Sequence, residues 1–156
     1  MVVALEYLGD EMKNKKSQSG FSMVEVLVSI LILSFGLLGL AALQAVAMKN
    51  SHSAYYRNQA TIMAHEILDR IRANPGAANV NVANYNIALA AAAPAGAAIA
   101  NVDLSEWKNH IAASLPVGRG GVTVTNVNQV AVVIQWDDSR GVNGSGVQTF
   151  TTESKI

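Results

Sequence analysis

The feature that most constrains the fold is a run of 23 residues, 26–48, that contains no Asp, Glu, Lys, Arg or His. As an α-helix rising about 1.5 Å per residue, this run would extend roughly 35 Å, longer than the ~30 Å hydrocarbon core of a bilayer. A cleaved secretory signal is the competing interpretation, but its apolar part is usually only about 7–15 residues long and a cleavage site follows it. The run therefore predicts a membrane-spanning helix that the mature chain retains.

Charge and composition predict how the rest of the chain is arranged around this span. The chain has 156 residues, zero formal net charge and no cysteine. The balanced charge disfavours a nucleic-acid-binding protein, and the missing cysteines mean that the folded domain has no disulfides. Lys13, Lys15 and Lys16 precede the span, and by the positive-inside rule they predict a cytoplasmic N-terminus with residues 50–156 outside.

A helical period continues after the span, which predicts an amphipathic second half for the same helix. The apolar positions, spaced by three or four residues, are Tyr56, Ala60, Met63, Ile67 and Ile71. Asn74 and Pro75 then mark the stop, since a residue before proline disfavours the α conformation. We predict one helix over residues 21–73, with its transmembrane part at about 26–48, and a head over residues 74–156 that the outer half of the helix completes.

The head is predicted to combine a helix with a small antiparallel sheet. Residues 76–102 predict a loop with one short helix near residues 85–93. A further helix is expected to start with Asp103 as its cap and Glu106 three residues on, and to end before Pro116. Its apolar face consists of Leu104, Trp107, Ile111 and Leu115.

After this helix the period changes from helical to alternating, which predicts three strands. They fall within residues 121–127, 129–136 and 147–152, with a turn-rich connection between the last two. The residues expected to face a covering helix are Val122, Val124, Val132, Ile134, Trp136 and Phe150. This sheet needs the outer half of the long helix to bury its apolar face.

One acidic residue, Glu25, stands at the head of the apolar run. Ser22 and Glu25 have the spacing of a capping box, and a carboxylate in the first turn suits the helix dipole. Capping does not explain why a charge lies at the edge of lipid, where ionisable residues are costly and usually have a partner. The position of Glu25 therefore predicts that its carboxylate pairs with a group outside the membrane-spanning segment.

Residues 20–25, Gly-Phe-Ser-Met-Val-Glu, followed by the apolar run, resemble the class III signal of type IV prepilins and type II secretion pseudopilins. The resemblance implies that residues 1–20 are a leader bearing the three lysines, and that prepilin peptidase cuts the Gly20–Phe21 bond and N-methylates Phe21. It also implies that Glu25 pairs with the N-terminal amine of a neighbouring subunit during assembly. A leader of this family is usually shorter, so we expect translation to start at Met12.

Within that family, the N-terminal segment and the later helix and strands most resemble minor pilins of the PilV type. The resemblance implies an α+β lollipop, with a long N-terminal helix packed on a small antiparallel sheet. It also implies a single-pass inner-membrane precursor with a periplasmic head that enters a pilus beside other minor and major pilins. Two departures are the missing C-terminal disulfide loop and Ala42 in place of a proline that would kink the helix.

The remaining motifs predict no catalytic, cofactor or metal site. His52, His65 and His110 are scattered and lack a zinc-binding spacing. Asp137 and Asp138 are interpreted as solvated turn residues. The arginines of the amphipathic helix are interpreted as an exposed face; they are Arg57, Arg70 and Arg72.

Three functions are consistent with these features. The first is a minor pilin that helps prime assembly of a type IV pilus. The second is a pseudopilin of type II secretion, which shares the signal and the fold. The third is a single-span membrane anchor that presents a ligand-binding domain.

Overall fold

The computed structural model describes residues 20–74, 82–126 and 129–156, and the chain divides into two units between Ala42 and Leu43. The described residues form two α-helices and three β-strands. Their bounds are α1 Met23–Ala73, α2 Ile99–Ser114, β1 Arg119–Asn126, β2 Gln129–Trp136 and β3 Gln148–Lys155. The predicted α+β class, a long N-terminal helix with a small antiparallel sheet, is confirmed.

In the first unit, α1 begins at Met23 and is helical through Gly36 and Gly39 without interruption. Every side chain here is exposed; Phe35, for example, is 67% exposed. Two hydroxyls within the apolar run bond back to carbonyls four residues earlier, Ser29 Oγ to Glu25 O and Ser34 Oγ to Ile30 O, each at 2.7 Å. These bonds satisfy the serine donors without water, which is what a lipid environment requires.

α1 is long and apolar enough to cross a membrane, and none of its most apolar stretch is buried within the chain. A soluble core helix would have most of such a stretch covered by protein. Within residues 20–74, 82–126 and 129–156, nothing covers this apolar surface, and an apolar surface of this size is typical of a membrane or protein contact.

In the second unit, the outer part of α1 presents one apolar face to the sheet and to α2. The buried residues on α1 are Ala60, Met63, Ala64, Ile67, Leu68 and Ile71. Four of the five predicted stripe positions are among them, and the fifth, Tyr56, is partly buried against the same core. Ala64 and Leu68 widen the stripe beyond the positions that the spacing predicted.

The sheet is a meander in the order β1-β2-β3, with both pairings antiparallel. Burial alternates along β2, whose core side consists of Val130, Val132, Ile134 and Trp136. Val122 of β1 is also fully buried, while Val124 and Phe150 are partly buried against the core. The predicted apolar face is therefore confirmed, with Val130 added to it.

Trp107 of α2 connects the two helices and the sheet. Its ring is fully buried, and its indole Nε1–H donates a hydrogen bond of 2.8 Å to the main-chain carbonyl of Met63 on α1. Gly120 of β1 lies directly against the ring, because a Cβ there would come within 2.6 Å of Trp107 Cη2 and 2.5 Å of Ile111 Cδ1. Glycine at this position allows α2 to approach the strand closely.

The predicted start of α2 is wrong. α2 begins at Ile99, and Ala98 precedes it without a side-chain cap, so Asp103 lies inside the helix. Ala100 is buried in the core, so tertiary packing rather than helix propensity holds the extra turn before Asp103. The Asp103 carboxylate instead bonds to Tyr85 and Arg70.

The predicted short helix at residues 85–93 is also wrong. Residues 82–85 form a 3₁₀ turn, and Ile87 then pairs with Val122 at the outer edge of β1 through hydrogen bonds of 2.8 and 2.9 Å. Pairing with a strand edge fixes an extended backbone at Ile87, and Pro94 disfavours a helix that runs through it. Part of the predicted 76–102 loop, residues 75–81, lies outside the described residues.

Asp138 differs from the prediction of a solvated turn residue, since it is only 4% exposed. Its carboxylate accepts a hydrogen bond from Ser53 Oγ on α1. Asp137 does behave as a turn residue: its Oδ1 accepts the Ser139 N–H at 2.8 Å, and this bond lowers the pKa of the Asp137 carboxyl. The two neighbouring carboxylates therefore have different roles.

We expect Ile67→Ala to lower the free energy of unfolding by about 2–5 kcal/mol, because it opens a cavity in a fully packed core. Ile62→Ala is the matched control on the same helix, since Ile62 is 52% exposed, and it should change stability by less than about 0.5 kcal/mol. Urea unfolding of the full chain in detergent, followed by tryptophan fluorescence, measures both. Equal losses for the two variants would contradict the described core.

Candidate processing and assembly site

The residues predicted to be cut and methylated lie before the first turn of α1. Gly20 and Phe21 are outside the helix and exposed, and the Phe21 side chain is 84% exposed. Apart from its chain neighbours, no atom of the described residues lies within 4 Å of a Cβ placed at Gly20. Gly20 and Phe21 thus form non-helical backbone, the conformation in which a peptidase cleft binds its substrate.

Ser22 caps the helix at its N-terminus. Its Oγ accepts the Val24 N–H at 3.3 Å, and its carbonyl accepts the N–H groups of Glu25 and Val26 at 3.0 and 3.2 Å. Polar oxygens at this position satisfy donors that the first turn leaves unpaired. The cap fixes the start of α1 next to the proposed cleavage bond.

Glu25 lies in the first turn of α1 and is exposed. Within residues 20–74, 82–126 and 129–156, its carboxylate has no hydrogen-bond or ion-pair partner. The helix dipole favours a negative charge at this end, so an acidic residue suits the first turn of α1.

Comparison with known proteins supports the signal that this geometry suggests. Residues 15–41 match the prokaryotic N-terminal methylation motif. The match includes Gly20, Phe21 and Glu25 together with the first part of the apolar helix. It supports a type IV pilin-like or pseudopilin protein, a family of structural subunits. No curated protein and no solved structure matches the chain.

The lysines of the proposed leader, Lys13, Lys15 and Lys16, lie outside the described residues, as does the predicted start at Met12. Lys15 and Lys16 fall within the matched motif, whereas Lys13 precedes it. Their contribution to orientation stays a prediction from the sequence.

A second polar cluster, which the sequence interpretation missed, lies in the head around Arg70. The Arg70 guanidinium contacts three carboxylates: Glu106 at 2.7 Å, Glu66 at 3.0 Å and Asp103 at 3.2 Å. Because two of these carboxylates belong to α2, the cluster ties α1 to α2. In the sequence, only the spacing of four residues between Glu66 and Arg70 indicated an ion pair. Asp103 and Glu106 lie more than thirty residues away in the chain and come close to Arg70 only in the folded head.

Tyr85 extends this cluster into the core. Its side chain is fully buried, its hydroxyl donates to Asp103 Oδ2 at 2.5 Å, and it accepts from Asn74 Nδ2 at 3.1 Å. Burial, together with the bond to Asp103, raises the pKa of Tyr85 to about 12. The bond to Glu106 raises the pKa of Arg70 above its ordinary value, with Asp103 and Glu66 acting in the same direction and burial opposing them.

Lys108 holds the segment after the 3₁₀ turn against β1. Its Nζ donates to the carbonyls of Gly120, Ala88 and Leu89 at 2.7, 3.3 and 3.4 Å. Burial lowers the pKa of this lysine, yet the three carbonyls satisfy all three of its donors. These bonds identify Lys108 as a structural residue.

The three histidines do not come together. His65 is exposed on α1, His110 Nδ1 lies 3.2 Å from Glu66 Oε2, and His52 lines a cavity near Lys49. Among the residues that the structure describes, no group of three His, Cys, Asp or Glu side chains is placed to hold a metal ion.

We expect the stability contributed by Tyr85 to fall as the pH rises from about 10 to about 12. The raised pKa means that the folded state favours the protonated phenol, so its contribution is complete below the ordinary value of 10.0 and is lost on ionisation. The difference in free energy of unfolding between wild type and Tyr85→Phe should therefore shrink over this range. Tyr55→Phe is the control, because that ring is 56% exposed. If the difference in free energy of unfolding between wild type and Tyr85→Phe stays constant from pH 8 to 12, the raised pKa of Tyr85 is refuted.

Proposed function

We propose that this protein is a minor pilin of the PilV type that helps prime assembly of a type IV pilus. The observation that carries the proposal is the Glu25 carboxylate, which stands unpaired within the described residues at the head of an exposed apolar helix. It lies five positions after Gly20, inside the matched methylation motif. A charge kept at the edge of lipid is explained when its partner is supplied by another subunit.

Processing is the first step of this proposal. Prepilin peptidase hydrolyses the Gly20–Phe21 amide with water, which leaves a carboxylate on Gly20 and an amine on Phe21. The amine then attacks the methyl group of a sulfonium donor, which leaves as a thioether, and one proton is released. A methylated secondary amine stays protonated at neutral pH, so Phe21 carries a positive charge. The missing side chain at Gly20 and the exposed position of Phe21 support access to this bond.

Assembly is the second step, in which Glu25 of one subunit pairs with the Phe21 amine of its neighbour. At an effective dielectric constant near 20, two unit charges 4 Å apart attract by about 4 kcal/mol before the cost of desolvation. A misaligned neighbour leaves the carboxylate unpaired among apolar side chains. The pair therefore selects the register in which α1 helices stack.

The proposed location follows from the same segment. The precursor is a single-pass inner-membrane protein with the three leader lysines in the cytoplasm and the head in the periplasm. Its partners are prepilin peptidase, the membrane, and other minor and major pilins that contact the apolar part of α1. The head supports a structural role, because its polar clusters connect α1, α2 and the sheet rather than converge on a reacting group.

A pseudopilin of type II secretion is the second candidate, and the methylation motif favours it equally. Deletion of the gene distinguishes the two. Loss of surface pili and twitching motility supports the pilin, whereas an exoprotein retained in the periplasm supports the pseudopilin. A plain membrane anchor predicts neither phenotype.

We expect the chain isolated from membranes to begin at N-methylated Phe21 when the prepilin peptidase is active, and to keep its leader when the peptidase is inactive. Intact mass and N-terminal sequencing measure this. Gly20→Val should block cleavage, while Gly146→Val is the control, since a Cβ at either glycine meets no atom within 4 Å. Cleavage elsewhere, or none at all, would refute the processing step.

We expect Glu25→Ala to be cleaved nearly as well as wild type but to be lost from sheared pili, because the register-selecting charge is removed. Glu153→Ala is the matched control, since Glu153 is an exposed carboxylate on β3. Immunoblots of the membrane and pilus fractions measure cleavage and incorporation separately. Normal incorporation of Glu25→Ala would refute the role of Glu25 in assembly, whereas absence of the wild-type chain from the pilus fraction would favour the plain membrane anchor.

A further inference from the structure

The head contains a cavity of about 490 Å³ between α1 and the turn that follows β2. α1 contributes Lys49, His52 and Tyr56, which lie on one helix face because they are spaced by three and four residues. The opposite wall is the turn at residues 138–141. No step of the proposed processing or assembly uses this cavity.

Positive charge predominates in the lining of the cavity. Lys49 and Arg140 are basic and exposed, whereas Asp138 is acidic and buried. The two permanent cations exceed the one carboxylate, and they belong to opposite walls. An anionic group between them would be attracted by both, and lysine and arginine are the side chains that recognise phosphate groups.

The wall that carries Arg140 is held in place by Asp138. Besides the bond from Ser53 Oγ to its carboxylate, Asp138 donates its N–H to Ser145 O at 3.0 Å and accepts the Gly141 N–H at its carbonyl at 2.9 Å. Gly144 is required beside this turn, because a Cβ there would overlap the Asp138 carbonyl. The turn is therefore fixed against α1 without any ligand.

The position of the cavity along α1 points to a lipid. Lys49 is the first charged residue after the uncharged run at residues 26–48. Tyr55, 56% exposed, and Tyr56 form an edge-to-face pair 5.9 Å apart, and tyrosines are enriched where membrane meets water. A shallow depression lined by Gln44, Ala47, Met48, Ser51 and His52 shares His52 with the cavity. Ala47 and Met48 form its apolar part, on which the acyl chain of a headgroup in the cavity would lie.

We propose that this cavity binds the phosphate of a phospholipid headgroup between Lys49 and Arg140, with the acyl chain along the depression beside Met48. The proposal rests on the membrane insertion included in the proposed function. It assigns the head a second attachment to the outer leaflet of the inner membrane, in addition to the span. Release of this lipid would accompany extraction of the subunit into a filament.

The test is a titration of the purified full chain in non-ionic detergent, followed by native mass spectrometry. The probes are phosphatidylglycerol, diacylglycerol with the same acyl chains, and soluble glycerol phosphate. The test variant is Lys49→Gln with Arg140→Gln. The control is Arg57→Gln with Lys155→Gln, which removes the same charge from exposed residues outside the cavity.

We expect phosphatidylglycerol to bind wild type and the control equally, and the test variant about 30-fold more weakly, as the loss of two interfacial cations implies. Diacylglycerol should bind weakly to all three proteins. Unchanged phosphatidylglycerol binding by the test variant, or equal binding of diacylglycerol to wild type, would overturn the site. If glycerol phosphate binds as tightly as phosphatidylglycerol, the acyl chains contribute nothing. The proposal of a lipid ligand is then refuted, and the cavity binds a soluble phosphate compound instead.

These results are independent of the proposed processing and assembly. The titration needs neither cleavage nor filaments, so a chain that fails the Phe21 and Glu25 experiments still reports on the cavity. A processed, assembling chain that does not bind phosphatidylglycerol refutes the lipid site alone.

Discussion

The head depends on one buried contact, the hydrogen bond from the Trp107 indole to the Met63 carbonyl. The bond connects the middle of α2 to the outer part of α1, and Gly120 lets the same ring lie against β1. A bulky, fully buried side chain with its single donor satisfied has one favourable orientation. Trp107 therefore fixes where α1, α2 and the sheet meet, and the charged cluster around Arg70 completes the join at its surface.

α1 fulfils two different requirements with one secondary structure. Its first part is apolar on every side and bonds its serine hydroxyls internally, so it suits lipid or the helices of neighbouring subunits. Its outer part restricts apolar residues to the face buried in the head. Glu25 is the exception in the first part, because it places a carboxylate in the first turn of an otherwise apolar segment.

Elements in which apolar residues recur at regular spacing could be predicted from the sequence. Contacts between residues far apart in the chain could not. The stripe from Ala60 to Ile71 and the alternation along β2 follow from local spacing, and both are confirmed. Asp103 resembled a helix cap, but its carboxylate is used by Tyr85 and Arg70, which lie far away in sequence. The motif residues at Gly20 and Glu25 were visible because recognition of a signal depends on sequence order rather than on packing.

The order of the elements also determines when the head can fold. The meander of β1, β2 and β3 pairs only neighbouring strands, so the sheet forms through short-range contacts. The apolar face of α1 from Ala60 to Ile71, however, is made early in synthesis and is covered fully only when the last strands have been translated. A nascent chain therefore carries an uncovered apolar helix face until β3 is complete, which makes that interval the one in which a chaperone can bind it.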